Sequence, residues 1–149
     1  IITTEESSFE IGKSQIFWNG KVDSNHKLGI IACGALVHKA LSIALDLEGE
    51  GVNVSVMNLA TIKPIDEEGI ISFAKKMGRI LTIEEHQIAG GMGSAVAEVL
   101  SRNYPVPMEF IGVEDKFGQS GNQEELLNHY GMGFVDIKKK AKKLLGKII

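Results

Sequence analysis

From Lys27 onward the apolar positions change their period several times. Leu28 to Cys33 (LGIIAC) is a continuous apolar run stopped by Gly34, the pattern of a strand buried on both faces. Leu36, Ala40, Ile43, Ala44 and Leu47 then fall on one side of a 3.6-residue period, which predicts a helix ending near Gly49 and Gly51. Val52 to Leu59 alternates with period two and is rich in β-branched residues, a second strand. Pro64 interrupts the chain, and Asp66 is placed to cap a helix carrying Ile70, Ile71, Ala74 and Met77, with Gly78 just past its end. Arg79 to Glu84 is a third core strand. After GGMG, the residues Met92, Ala95, Val96, Val99 and Leu100 form the next helical face, ended by Pro105 and Pro107. Met108 to Val113 is a further strand. Asn122 and Glu125 have the spacing of a capping box for a helix that stops at Gly131. A last helix, from about Val135 to Lys147, presents Ile137, Ala141, Leu144 and Leu145 to a core, with Ile148 as a further candidate.

Strands alternating with helices argue for an α/β sheet, mostly parallel, with helices on both faces. Val56 and Ile83 should then sit in central strands, since helices flank both runs. Residues 27–149 form this α/β domain. Residues 1–26 are patterned only weakly and are expected to be a linker followed by a short hairpin. Ile16, Phe17 and Trp18 precede Asn19-Gly20, a strong short turn signal. The polar opening, which starts on Ile1, has the character of a cut within a longer polypeptide.

Composition narrows the class. The 149 residues are 44% hydrophobic and 23% charged, as in an ordinary globular domain able to bury a core without a disulfide or metal staple. A net charge of −3 lacks the basic excess of a nucleic-acid binder, and no apolar run reaches the length of a membrane span. No signal peptide is visible. The one basic cluster, Lys138 to Lys143, is expected to be a solvated face near a helix C-terminus. Cys33 is the single cysteine, so no internal disulfide forms, in keeping with a reducing compartment and an expected cytoplasmic location. Within an apolar strand it has the character of a small buried hydrophobe.

In open α/β sheets, ligands gather outside the carboxyl ends of the strands. Glu84, Glu85 and His86 stand at one such end, and Glu114, Asp115 and Lys116 at another. The Glu-Glu-His triplet has the chemistry of an acid/base group or half a metal site, but neighbouring strand residues alternate faces, so a solvated or partner-facing loop is the expected role. The run Gly90-Gly91-Met92-Gly93-Ser94-Ala95 follows a strand and opens a helix, where free N–H groups suit an anion. Its dinucleotide-fingerprint reading is weakened by Val96, which stands where a third small residue is needed, and the plain alternative is a tight turn with close helix–strand packing. Ser120, in Phe117-Gly118-Gln119-Ser120-Gly121, lacks a nucleophile elbow and reads as part of a turn feeding the Asn122 cap. These residues define a rim, with Glu84, Glu85, His86, Gly91, Gly93, Ser94 and Asp115 as candidates for an interface or anion site. No catalytic constellation is visible.

Taken together and in order, these stretches resemble the transketolase C-terminal domain family. LGIIACGALVHKALSIALDLEGEGVNVSVMNLATIKPID is similar to its opening strand–helix–strand and "TIKPLD" loop. RILTIEEHQIAGGMGSAVAEVLS is similar to "VVTVEEH…GGLGSAVAE", and FIGVEDKFGQSGNQEELLNHYGM to "IGV.D.FGESG…ELL..YGL". The opening FEIGKSQIFWNGK also matches. Gln119 stands where the family commonly has Glu, and Asn122 where it has Thr or a small residue. Transketolases, deoxyxylulose-phosphate synthases and the beta subunits of 2-oxo acid dehydrogenases share this domain. The EEH triplet and FGQSG lean toward transketolase, especially the split-subunit type.

The resemblance implies a three-layer α/β fold with a five-stranded, mostly parallel sheet and one antiparallel strand. It also implies a dimer, and transfer of a two-carbon ketol unit between sugar phosphates in pentose phosphate metabolism. Thiamine diphosphate and Mg²⁺ would be held by pyrophosphate and pyrimidine domains outside this chain. No cofactor, metal or catalytic residue is then expected here, and the domain would serve assembly. An anion- or nucleotide-binding regulatory module is the alternative.

Overall fold

A computed structural model describes residues 2–146, so the expected helical placement of Lys147 and Ile148 lies outside the described residues. The elements run β1 (Gln15–Trp18), β2 (Lys27–Ala32), α1 (Leu36–Gly49), β3 (Asn53–Asn58), α2 (Glu67–Met77), β4 (Ile80–Gln87), α3 (Met92–Asn103), β5 (Met108–Val113), α4 (Gln123–His129) and α5 (Phe134–Leu145). They build one five-stranded sheet in the order β1-β3-β2-β4-β5. β2, β3, β4 and β5 are parallel, and β1 alone runs antiparallel, against β3.

Strand alternation divides the core in two. Leu28, Ile30, Val54, Val56, Leu81, Ile83 and Ile111 face one way, packing with buried residues of α1, α4 and α5. Ile31, Met57 and Ile80 face the other way, packing with Ile70, Phe73, Ala74 and Met77 of α2 and Val96, Val99 and Leu100 of α3. The result is three layers. Val56 and Ile83 are both 0% exposed, as expected for central strands. Helix α2 approaches the sheet closely at Gly29, where a Cβ would sit 2.7 Å from Phe73 Cε1 and 2.8 Å from Ile80 Cδ1.

Among the described residues before Lys27 the expected hairpin is absent. Asn19-Gly20 does not turn one strand onto another; β1 crosses to the free edge of β3, pairing Gln15 with Asn58 and Ile16 with Met57. A two-stranded hairpin in water is marginal. The sheet edge instead offers unpaired peptide groups and a core surface against which Phe17 and Trp18 pack.

The lysines of α5 lie on the expected solvated face, with Lys139, Lys142 and Lys143 exposed, and several of them also reach acids of neighbouring elements. Lys138 pairs with Asp46 and with Glu50 of the α1 end, the latter at 2.8 Å, and Lys142 reaches Glu50 at 2.8 Å. Hydrogen bonds from Lys138 and then Lys142 hold the Glu50 carboxyl below its ordinary range, and Asp46 and Glu50 in turn raise the Lys138 ammonium. Lys143 lies 3.3 Å from Glu109. The run therefore straps α5 to α1 and β5, although its charges remain near water and are screened there.

Candidate functional site at the carboxyl ends of the strands

From β2 the chain passes through α1 to β3 on one side; from β4 it passes through α3 to β5 on the other. The gap between the carboxyl ends of β2 and β4 is therefore a topological switch point, the usual place for a crevice in such sheets. A cleft of about 340 Å³ lies there. Cys33 and Ala35 line it from the β2 side, Ile62 from the β3–α2 loop, Met92 from the α3 start, and Glu85 and His86 from the end of β4.

Beneath one wall sits a buried carboxylate with two backbone partners. Glu84 is 2% exposed. Its Oε2 accepts the Met92 N–H at 2.6 Å and its Oε1 accepts the Gly93 N–H at 2.7 Å. A carboxylate from β4 thus fills the positive start of α3, satisfying donors that the helix itself cannot. The glycines make this possible. A Cβ on Gly91 would collide with Gln87 O and Glu84 Oε2, and one on Gly93 would come within 2.6 Å of Thr82 Oγ1 and 2.9 Å of Phe110 Cδ1. Gly91 and Gly93 therefore admit a carboxylate of this chain, where the sequence pattern suggested a ligand. Ser94 closes the turn: its hydroxyl donates to Ile88 O at 2.6 Å and accepts Gly90 N at 3.0 Å.

The other candidates separate. Strand β4 continues past Glu84 to Gln87 with a register irregularity after Ile83, so the triplet is split between faces. Glu84 is turned inward and buried, where it lines the cleft from below, while Glu85 and His86 are exposed. His86 Nδ1 lies 3.0 Å from Gln87 O. Asp115 is exposed, in a left-handed conformation with φ 49°, and its N–H donates to Gln87 Oε1 at 3.0 Å. Because β4 and β5 are parallel, the Glu85–His86 pair and Asp115 leave the sheet at the same end.

Sequence reading missed three residues that shape this end. Gln87 ties the two loops, receiving Asp115 N and donating Nε2 to Lys116 O at 3.1 Å. Phe117 is 98% exposed although its carbonyl is held by the Tyr130 hydroxyl at 2.8 Å. Ile62 stands 42% exposed at the cleft. An amide and two exposed apolar residues in loops carry no periodic signal, so pattern could not single them out. Cys33 is half-buried at the cleft wall, not enclosed within a strand, because β2 ends at Ala32. Burial first, and the neighbouring Glu84 charge second, push its thiol pKa up.

A larger cleft of about 460 Å³ lies between the β5–α4 loop, the α4–α5 turn and α5. It is basic, but Lys140 there is engaged by Glu114 at 3.0 Å. The α3 donors at Met92 and Gly93 are occupied by Glu84, and among the described residues no three His, Cys, Asp or Glu side chains gather to hold an ion. Among the same residues no helix is long and apolar enough to cross a membrane.

A doubly wound α/β domain with one antiparallel edge strand and a carboxylate-filled switch point defines the class. Residues 19–137 match the family model "Transketolase, C-terminal domain", and the chain belongs to that family. It is 36% identical over 140 residues to the 6-deoxy-6-sulfo-D-fructose transketolase subunit SqwH of Clostridium sp., covering 94% of this chain and 42% of that protein. It is 35% identical over 130 residues to a 1-deoxy-D-xylulose-5-phosphate synthase of Caldanaerobacter subterraneus, covering 87% of this chain and 20% of that protein. A solved structure titled "Split gene transketolase, inactive beta4 tetramer" superposes with a TM-score of 0.88 at 39% identity, covering 97% of this chain and 46% of the other. The chain thus spans less than half the length of these relatives.

Proposed function

We propose that this domain belongs to a split-subunit transketolase that moves a two-carbon ketol unit between sugar phosphates, and that its own part is assembly and interdomain contact. The observation that supports this best is the whole-chain superposition on a split gene transketolase, with 97% of this chain covered and 46% of the other. Thiamine diphosphate, with Mg²⁺, supplies the carbanion chemistry when bound by the remaining domains of the enzyme. The residues of this chain hold its architecture: Glu84 fixes the α3 start, Gln87 fixes the β5–α4 loop, and the exposed Glu85, His86 and Asp115 are free to meet a neighbour. On this reading the enzyme works as an oligomer in the cytoplasm, in pentose phosphate metabolism.

The test is reconstitution. With the preceding half of the enzyme supplied, ketol transfer between a ketose phosphate and an aldose phosphate should appear, and His86→Ala should lower it less than tenfold. The 149-residue chain alone should show neither activity nor submicromolar thiamine diphosphate binding by calorimetry. Accumulation of 1-deoxyxylulose 5-phosphate in place of ketol transfer would assign the domain to the synthase branch. A thousandfold fall in turnover for His86→Ala, with assembly intact, would make His86 a catalytic group.

A further inference from the structure

The switch-point cleft has lost the feature that recommends such crevices to phosphates, because the Glu84 carboxylate already lies against the α3 start. What remains is a cavity with Cys33, Ala35, Ile62 and Met92 in its walls, suited to an apolar group. The path of the chain says where that group comes from. Gly12 N donates to Thr61 Oγ1 at 2.9 Å, and Ser14 donates through both N and Oγ to Asp66 Oδ2, at 2.8 and 2.6 Å. The N-terminal segment is therefore pinned to the β3–α2 loop, and the pinning residue Thr61 is next to Ile62 of the cleft wall. Just upstream, Phe9 and Ile11 project into solvent, exposed like Ile62. The segment before Gly12 thus runs along the β3–α2 loop that carries Ile62, with Ser8 O accepting Gln15 Nε2, and Phe9 and Ile11 stay uncovered there. Where such side chains gather, exposed apolar surface marks a contact site.

We infer that the cleft between the ends of β2 and β4 is the socket for an apolar side chain of the preceding half of the enzyme, with Phe9 and Ile11 continuing the same contact. This rests on the proposed two-part enzyme. It names the seat of the joint, with Ile62 as its exposed lip and Glu85 and His86 as its polar margin.

Cys33 reports on the socket directly, since its thiol lines the wall. Maleimide labelling, with adducts mapped to Cys33 by mass spectrometry, should be at least tenfold slower in the complete enzyme than in the 149-residue chain. Ile62→Glu and Ala35→Glu, both at exposed positions, should restore fast labelling in the complete enzyme and weaken association of the halves at least tenfold. Leu45→Glu, on the exposed face of α1, should change neither. Equal labelling of Cys33 in the complete, active enzyme and in the chain alone would overturn the socket while leaving the transketolase reading intact. Protection of Cys33 that appears in the chain alone as its concentration rises would assign the cleft to a second copy and also overturn it. Failure of the halves to associate or to transfer a ketol unit would overturn both.

Discussion

Helices α2 and α3 pack side by side on one face of the sheet, and each begins on a carboxylate. At α2 the carboxylate is local. Asp66 is the N-cap residue; its Oδ1 accepts Gly69 N at 3.1 Å, and its second oxygen holds Ser14 of the N-terminal segment. At α3 the cap position is Gly91, which has no side chain to cap with, and the carboxylate arrives from Glu84 on a neighbouring strand. Asp66 is 8% exposed and Glu84 2%. The first arrangement closes a helix and ties down an incoming segment. The second uses tertiary structure to close a helix, and in doing so removes a ready anion site. Two helix starts with the same electrostatics thus carry different duties, decided by what else each carboxylate touches.

The difference is open to measurement. The largest effect is expected at Glu84. Glu84→Ala strands two buried N–H groups, each losing a charged acceptor worth roughly 1.5–3 kcal/mol, so urea unfolding should show a loss of about 3–6 kcal/mol. A loss under about 1 kcal/mol would mean that water replaces the carboxylate freely and that α3 resembles α2 after all. Next comes Gly93→Ala, which drives a methyl against Thr82 and Phe110. A net cost of about 1–3 kcal/mol is expected even though alanine favours a helix, and a stabilised variant would show that the corner is looser than the contacts imply.

Asp66→Ala should cost about 1–2 kcal/mol, the range of an N-cap, and should also raise proteolysis of residues 2–14. No change in cleavage would separate the cap from the segment it is said to hold.

The smallest effect is a pH dependence. Burial pushes the Asp66 carboxyl up, but hydrogen bonds from Ser14 and Gly69 outweigh it and leave its pKa below the ordinary value. A depressed folded pKa stabilises fully above the unfolded pKa, and that contribution fades as pH falls through the folded one. The stability advantage of the native chain over Asp66→Asn should therefore be flat from about pH 8 to 5 and shrink below about pH 4. A difference that instead grows toward acid would contradict the sign.

Asp66 was legible because capping is a local code, readable from one residue placed before an apolar period. The parallel core was legible for the same reason: Leu28–Cys33 and Arg79–Glu84 announce buried strands, and Val56 and Ile83 fell where expected. Glu84 was visible as a candidate but not in its role, because the glycines that receive it are indistinguishable in sequence from those of a phosphate loop. β1 was misjudged for a related reason. Asn19-Gly20 is a true turn signal, yet the partner of Gln15–Trp18 lies some forty residues away, at Val56–Asn58, and long-range pairing leaves no mark in a local pattern. The lysines of α5 show the same limit, since the acids they meet belong to α1 and β5.

The two outer strands bear on how this domain behaves at high concentration. β1 is four residues long and carries an irregularity between Ile16 and Trp18, so it offers little regular backbone for another strand to copy. On the opposite margin, the Lys140 ammonium donates to the Phe110 carbonyl of β5 at 2.8 Å, placing a charge against the peptide groups of that strand. Short, bulged or charge-guarded margins are how sheets resist recruiting foreign strands into fibrils. A domain that leaves Phe9, Ile11, Ile62 and Phe117 exposed is thereby protected from polymerising through its backbone.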